Sequence, residues 1–178
     1  MSNYQPEKVA QMYDLLQDQG ETALLLDQYH LGYWDETNSN ASLTEATDRL
    51  TQIMLDKVTI QAGEGFYDLG CGVGAPAIHL AKATRGFIDG ITINQSQHEK
   101  VQQLAAKVGL SEKTKFILGD ALAMPCKDET YHGGWFFELI FHISHRKALQ
   151  EASRILLEAE SNLSDGKPSS ATHHDKII

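Results

Sequence analysis

The spacing of apolar residues predicts two helices in the first third of the chain. The stretch "PEKVAQMYDLL", residues 6–16, places apolar side chains at helical intervals, with a proline and a glutamate in its first turn. The segment "SLTEATDRLTQIMLDKV" begins with Ser42 and Glu45 in the spacing of a capping box, which predicts a longer second helix. An aromatic cluster, "LLLDQYHLGYWD", and a polar loop separate the two helices.

From Gly65 onward, short apolar runs alternate with helical stretches. In order they are "FYDLG", "PAIHLAKAT", "FIDGITI", "SQHEKVQQLAAKVGL", "TKFILGD", "GGWFFELI" and "HRKALQEASRILLEAE". This alternation predicts an α/β fold, in which a parallel sheet carries helices on both faces. Ligands of such sheets bind at the carboxyl ends of the strands, and the first strand here ends in a glycine-rich loop.

The same patterns predict how the chain is divided. We expect a helical segment over residues 1–60, a sheet-containing core over 61–157 and a disordered tail over 158–178. The tail has no hydrophobic periodicity and is rich in Ser, Asp, Gly, Pro and His, a composition typical of disorder.

Composition and charge narrow the class of protein. Of the 178 residues, 42% are hydrophobic and 22% charged, which is typical of a globular domain. The formal net charge of -9 argues against a nucleic-acid partner, because such binding needs a basic surface. No apolar run is long enough to cross a bilayer and the N-terminus does not read as a secretory signal, so we expect a cytoplasmic protein. Cys71 and Cys126 predict neither a disulfide framework nor a metal site, and we interpret both as small packing residues.

The stretch Asp68-Leu-Gly70-Cys-Gly72-Val-Gly74 carries the first candidate chemistry. Glycines let a ligand approach the backbone, and the helix that follows offers free amide groups to a polar ligand. A tight turn without a ligand is the alternative, but a turn needs fewer glycines.

A dinucleotide is a competing ligand, because Gly70-x-Gly72-x-x-Ala75 satisfies the corresponding fingerprint. That fingerprint expects an acidic residue about 20 positions later, at the end of the second strand. Thr92 stands at that exit and Asp89 lies too early, so the dinucleotide interpretation lacks its second contact.

The motif Asp68-x-Gly70-x-Gly72-x-Gly74 resembles motif I of class I S-adenosylmethionine (SAM) dependent methyltransferases. The strings "HLGYWDETNSNASLTEATDRLTQIML", "GCGVGAPAIHLA" and "GITINQSQHEKV" resemble the small-molecule group of that superfamily. This group includes natural-product O-methyltransferases and relatives of the sterol, tocopherol and cyclopropane-fatty-acid enzymes. The resemblance covers residues 6–156 and implies a Rossmann-like three-layer sandwich, SAM as cofactor and methyl transfer to the O, N or C atom of a small organic acceptor.

The resemblance also implies roles for residues of the glycine loop and the second strand. The backbone at Gly70, Gly72 and Gly74 would accommodate the methionine and ribose parts of SAM, and Asp68 would order the loop and bind the amino group. Thr92 and Gln97 resemble a T-x-S-x-x-Q arrangement in which these two side chains take the ribose in place of an acid.

Three further cofactor contacts follow from the resemblance. Asp120 would bind the adenine amino group and the Ala121 amide a ring nitrogen, although Asp120 could instead be a helix N-cap. Tyr33 would lie over the methionine end of the cofactor, with the helix around Tyr13 forming part of a lid. The alternative for Tyr33 is a core aromatic residue under a loop.

The segment "WFFELIFHISH" supplies the catalytic candidates. Glu138, His142 and His145 would share one face if this segment were helical. Metal ligands are a possible interpretation without independent support, and a structural role is the default for His145. The family often has a Glu followed by a pair of His residues in this segment. In this chain Phe141 replaces the first His. The resemblance implies Glu138 and His142 as acceptor contact and general base.

The resemblance stops near Leu157. The family has seven strands in the order 3-2-1-4-5-7-6, and only the first four can be found here. We therefore expect a truncated, alternatively spliced or frame-shifted product that lacks strands 5–7. Strand 4 would then be an exposed edge with the apolar row "WFFELI", which favours self-association or a partner. The alternative function is a non-catalytic SAM-binding or regulatory fragment that pairs with a full-length subunit.

Overall fold

The computed structural model describes residues 5–18 and 31–157, so the predicted disordered tail and most of the first aromatic cluster lie outside the described residues. The helices are α1 (Pro6–Asp18), α2 (Leu43–Leu55), α3 (Ala75–Ala83), α4 (Gln95–Lys107) and α5 (His145–Ile155). The strands are β1 (Gly65–Leu69), β2 (Phe87–Thr92), β3 (Thr114–Leu118) and β4 (Gly133–Trp135). A single 3₁₀ turn, Ile140–His142, lies between β4 and α5.

The four described strands form one parallel sheet in the order β3-β2-β1-β4. This confirms the predicted α/β class and the order of the first four strands. Strand β1 is central, since Asp68 pairs with Gly90 on one side and with Trp135 on the other. Parallel pairing brings the carboxyl ends of all four strands to the same edge.

Alternating side chains of the strands build a hydrophobic core on each face of the sheet. On one face, Phe66 and Ile88 pack in a cluster that also contains residues of α3 and α4. On the other face, Tyr67, Leu69 and Ile91 pack with residues of α5. The central strands β1 and β2 are largely buried and are mostly apolar, as parallel strands covered on both faces usually are.

The capping box predicted at the start of α2 is present. The Ser42 backbone N–H donates to Glu45 Oε2 at 2.8 Å, and the Glu45 N–H donates to Ser42 Oγ at 3.3 Å. These bonds satisfy two backbone donors that would otherwise lack a partner at the helix start.

Strand β4 departs from its prediction. It ends at Trp135, well short of the predicted "GGWFFELI". It is the edge strand of the described sheet, but the predicted exposed apolar row is wrong, because Trp135 is fully buried and Phe136 and Phe137 are half-buried against the two cores. After α5, Leu156 forms a parallel bridge with Tyr131.

No helix in the described parts of the chain is both long enough and apolar enough to cross a membrane.

Candidate functional site

An open cavity lies at the carboxyl ends of the strands, and its empty space of about 800 Å³ includes the solvent at its mouth. The walls come from α1 and from the segments that follow each of the four strands. Of the residues singled out from the sequence, those that line it are Tyr13, Asp68, Gly70, Cys71, Gly72, Gly74, Thr92, Gln97, Ala121 and Glu138.

The three glycines of the loop after β1 have positive φ angles, but they differ in what surrounds them. At Gly72, with φ 55°, an added Cβ would meet no atom within 4 Å. At Gly74 it would lie 2.0 Å from Val101 Cγ2, and at Gly70 2.8 Å from Leu139 Cδ2. Gly70 and Gly74 are therefore needed for packing within the protein, whereas the side-chain position of Gly72 is open to a ligand.

Asp68 is the most unusual group in the cavity wall. It is buried at the end of β1, and neither carboxylate oxygen has a hydrogen-bond partner within the described residues. Burial raises the pKa of Asp68 to about 7, and the nearby Trp135 indole N–H offsets part of this rise although it makes no well-formed hydrogen bond. Unpaired buried carboxylates are rare because desolvation is expensive, so this one fits a cationic ligand group in the cavity.

Cys71 lies beside Asp68 and lines the same cavity. Burial raises the pKa of the Cys71 thiol well above its usual value, and the Asp68 charge raises it further. A thiol held in its neutral form is a poor nucleophile, which agrees with its predicted role as a packing residue.

Thr92 and Gln97 form a polar pair in the cavity wall. Thr92 Oγ1 donates to Gln97 Oε1 at 2.9 Å, and both side chains are buried. Strand β2 ends at Thr92, and Gln97 lies in the first turn of α4, so one strand-to-helix turn brings them together. The structure thus places the two predicted ribose ligands side by side.

The two predicted adenine contacts, Asp120 and Ala121, differ in whether they line the cavity. Ala121 lines the cavity, but Asp120 does not. Asp120 Oδ1 instead accepts from the Leu122 backbone N–H at 2.8 Å, in a turn after β3. No helix follows in this described segment, so the alternative of Asp120 as a helix N-cap is wrong.

The segment from Glu138 to His145 is not one helix, so Glu138, His142 and His145 do not share a helical face. Glu138 has φ 60°, a left-handed backbone that interrupts any helix, and His145 begins α5. Glu138 lines the cavity, and its Oε2 accepts from the Leu31 backbone N–H at 2.9 Å. A non-glycine residue with this backbone in a cavity wall is the kind of strain that is common at functional sites.

His142 lies behind the cavity wall, within the 3₁₀ turn. Its Nε2 is 3.3 Å from the hydroxyl of Tyr13, which does line the cavity. Burial and the nearby Glu138 charge raise the pKa of Tyr13, so this hydroxyl is neutral at physiological pH. The side chain of the predicted base therefore meets the cavity wall at Tyr13.

Tyr33 does not line the cavity. The guanidinium of Arg49 lies 5.6 Å from the centre of its ring, and the Tyr33 backbone N–H donates to Ala46 O at 2.9 Å. Its 42% exposure also excludes the alternative of a core aromatic residue.

Within residues 5–18 and 31–157, no group of three or more His, Cys, Asp or Glu side chains could hold a metal ion.

Comparison with known proteins gives the family. Residues 66–158 match the family model described as a methyltransferase domain. The chain is 36% identical to (+)-O-methylkolavelool synthase of Herpetosiphon aurantiacus, covering 73% of this chain and 46% of that protein. It is 33% identical to 27-O-demethylrifamycin SV methyltransferase of Amycolatopsis mediterranei, covering 88% and 57%.

A solved structure agrees with this family. The [4+2]-cyclase SpnF superimposes with a TM-score of 0.78 at 31% identity, covering 89% of this chain and 58% of that one. The chain belongs to the class I SAM-dependent methyltransferases, as its resemblance implied. It spans about half the length of the curated relatives it matches.

Replacement of Asp68 by Asn should change how stability depends on pH. Between about pH 4 and pH 7, folded Asp68 holds a proton that the unfolded chain has released, so raising the pH through this window destabilises the wild type. We expect Asp68→Asn to become more stable than the wild type across this window, by on the order of 3 kcal/mol at about pH 8. Urea unfolding of the ligand-free proteins at about pH 5 and pH 8 measures the difference, and a difference that does not change with pH would contradict the burial of an unpaired carboxylate.

Proposed function

We propose that the chain binds SAM and belongs to an enzyme that transfers its methyl group to a small organic acceptor. The observation that carries this proposal is the unpaired carboxylate of Asp68, buried in a cavity wall beside the open side-chain position of Gly72. SAM has a cationic amino group on its methionine part and a bulky nucleoside on the other side of the sulfonium. The amino group fits the Asp68 carboxylate, and the open position at Gly72 leaves room for the rest of the cofactor.

The assignment of the remaining cofactor contacts follows the walls of the cavity. Thr92 and Gln97 would take the ribose hydroxyls, since the pair offers both donors and acceptors. Ala121 would contact the adenine ring. Asp120, the residue before it, does not line the cavity in the ligand-free protein. The contact of Tyr33 with the methionine end stays a prediction, since its ring lies beside Arg49 and does not line the cavity of the ligand-free protein.

Bound SAM would supply a methyl group already activated by the sulfonium charge. The protein then has to align an acceptor and, for a hydroxyl acceptor, take up its proton. Glu138 lines the cavity and is our candidate base: the acceptor O–H proton would pass to its carboxylate as the oxygen attacks the methyl carbon and the S–CH₃ bond breaks. His142 would act through the Tyr13 hydroxyl to orient the acceptor.

The relatives support a small natural product as the acceptor. The names of two of them refer to O-methylkolavelool and to 27-O-demethylrifamycin SV, and both names describe O-methylation. We therefore propose a hydroxyl acceptor. We also propose a cytoplasmic location and self-association at the outer edge of β4. The position of β4 at the end of the described sheet supports the proposed self-association.

Titration calorimetry with matched glycine variants tests cofactor binding. Gly72 and Gly109 both have positive φ angles, and an added Cβ would meet nothing within 4 Å at either, but only Gly72 lines the cavity. Substitution by Ala should therefore destabilise both proteins similarly, by about 1–2 kcal/mol. We expect Gly72→Ala to weaken binding of S-adenosylhomocysteine (SAH) at least about tenfold, and Gly109→Ala to leave it unchanged.

The same titrations separate this proposal from the dinucleotide alternative. The wild type should bind SAM and SAH and give no heat with NAD. Binding of NAD without SAH, or equal SAH affinity in the two glycine variants, would contradict the proposed site.

Conservative variants test the catalytic roles. Glu138→Gln keeps the shape of the side chain and the acceptor for the Leu31 N–H but cannot take up a proton. With methyl-labelled SAM and a panel of phenols and secondary alcohols, we expect kcat to fall by about 10²–10⁴ while SAH affinity stays the same. Tyr13→Phe, which removes only the hydroxyl next to His142, should raise the acceptor KM more than it lowers kcat. Unchanged turnover in Glu138→Gln would exclude Glu138 as the base.

A further inference from the structure

Asn94 links two parts of the protein that the sequence does not connect. It is 2% exposed and precedes α4, where its Oδ1 accepts from the Gln97 backbone N–H at 2.9 Å. Its own backbone N–H donates to Thr92 Oγ1 at 3.3 Å. Asn94 therefore holds both members of the Thr92–Gln97 pair, although it does not itself line the cavity.

The other end of the same side chain binds α1. Asn94 Nδ2 donates to Asp14 Oδ1 at 2.7 Å and to the Ala10 backbone carbonyl at 3.1 Å. The orientation of the amide is determined by its partners, since Gln97 offers a donor and α1 offers two acceptors. All hydrogen-bonding capacity of the Nδ2 group is thus used on α1.

These contacts lie on α1 next to the residues that face the cavity. Val9 and Tyr13 line the cavity, and each directly precedes a residue that contacts Asn94, Ala10 and Asp14 respectively. If α1 moves away from Asn94, Val9 and Tyr13 leave the cavity wall. Asn94 therefore contributes both to the position of this wall and to the geometry of the Thr92–Gln97 pair.

We propose that Asn94 is a positioning residue that couples the docking of α1 to cofactor binding. This inference rests on the proposed function, in which Thr92 and Gln97 bind the cofactor. A cofactor that orders the Thr92–Gln97 pair also fixes Asn94, and fixed Asn94 holds α1 over the cavity. By thermodynamic linkage, docked α1 must raise cofactor affinity by the same factor by which bound cofactor favours docking.

An exchange of amide and carboxylate tests the coupling. Asn94→Asp keeps the acceptor that caps α4 but removes both bonds to α1 and places two carboxylates together. Asp14→Asn in the same chain restores a donor–acceptor pair with the opposite polarity. In the full chain, we expect Asn94→Asp to weaken SAH binding about tenfold and the double variant to return to within about threefold of the wild type.

Hydrogen exchange locates the effect. SAH should slow amide exchange over residues 6–18 in the wild type and in the double variant, but not in Asn94→Asp, while exchange over α4 should be alike in all three. Unchanged SAH affinity in Asn94→Asp, or a loss that the double variant does not restore, would overturn the coupling. Failure of the wild type to bind SAH would instead overturn the proposed function, and this inference with it.

Discussion

The parallel pairing of β1 with both β2 and β4 is the constraint on which the site depends. It aligns the ends of four strands at one edge, so that short segments far apart in the chain form one cavity. The pairing also buries β1 from Phe66 to Leu69, which leaves Asp68 near its end with almost no access to bulk water. A carboxylate in that position is unfavourable for the free protein and favourable for binding a cation.

Helix α1 completes the cavity from outside the sheet. Polar contacts connect it to the core: Asn94 donates to Ala10 and Asp14, and the Tyr13 hydroxyl lies 3.3 Å from His142 Nε2. Polar contacts contribute little net free energy in water but have strict geometry. Such an element can dock in one defined position and still separate from the core, as a lid must when a ligand enters and leaves.

The strand order and the glycine loop could be predicted because they depend on local patterns. Apolar runs alternate with helical stretches, and Gly72 stands at a strand-to-helix junction with a left-handed backbone, which favours glycine. The pair Thr92 and Gln97 was also predictable, since both lie in a single turn.

The errors concern residues whose surroundings are set by distant parts of the chain. The apolar run "GGWFFELI" suggested a strand through Glu138, but β4 ends at Trp135 and Glu138 has a left-handed backbone, a conformation that no local signal marks. The contacts of Tyr33 with Arg49 and Ala46 in α2 likewise could not be predicted from the sequence, because they depend on how α2 packs. The role of Asn94 had a partial signal in its capping position, three residues before Gln97, but its bonds to α1 span about 80 residues of chain.

The central claim is that Asp68 is held without a partner until a cationic cofactor group binds. Calorimetric titration of SAH in buffers of different ionisation enthalpy tests it most directly. At about pH 6 the free carboxyl, with a pKa of about 7, is mostly protonated, so binding of the cofactor amino group should release close to one proton. At about pH 9 this carboxyl should release none, and Asp68→Asn should release none from it at either pH. Binding at pH 6 without proton release would contradict the claim.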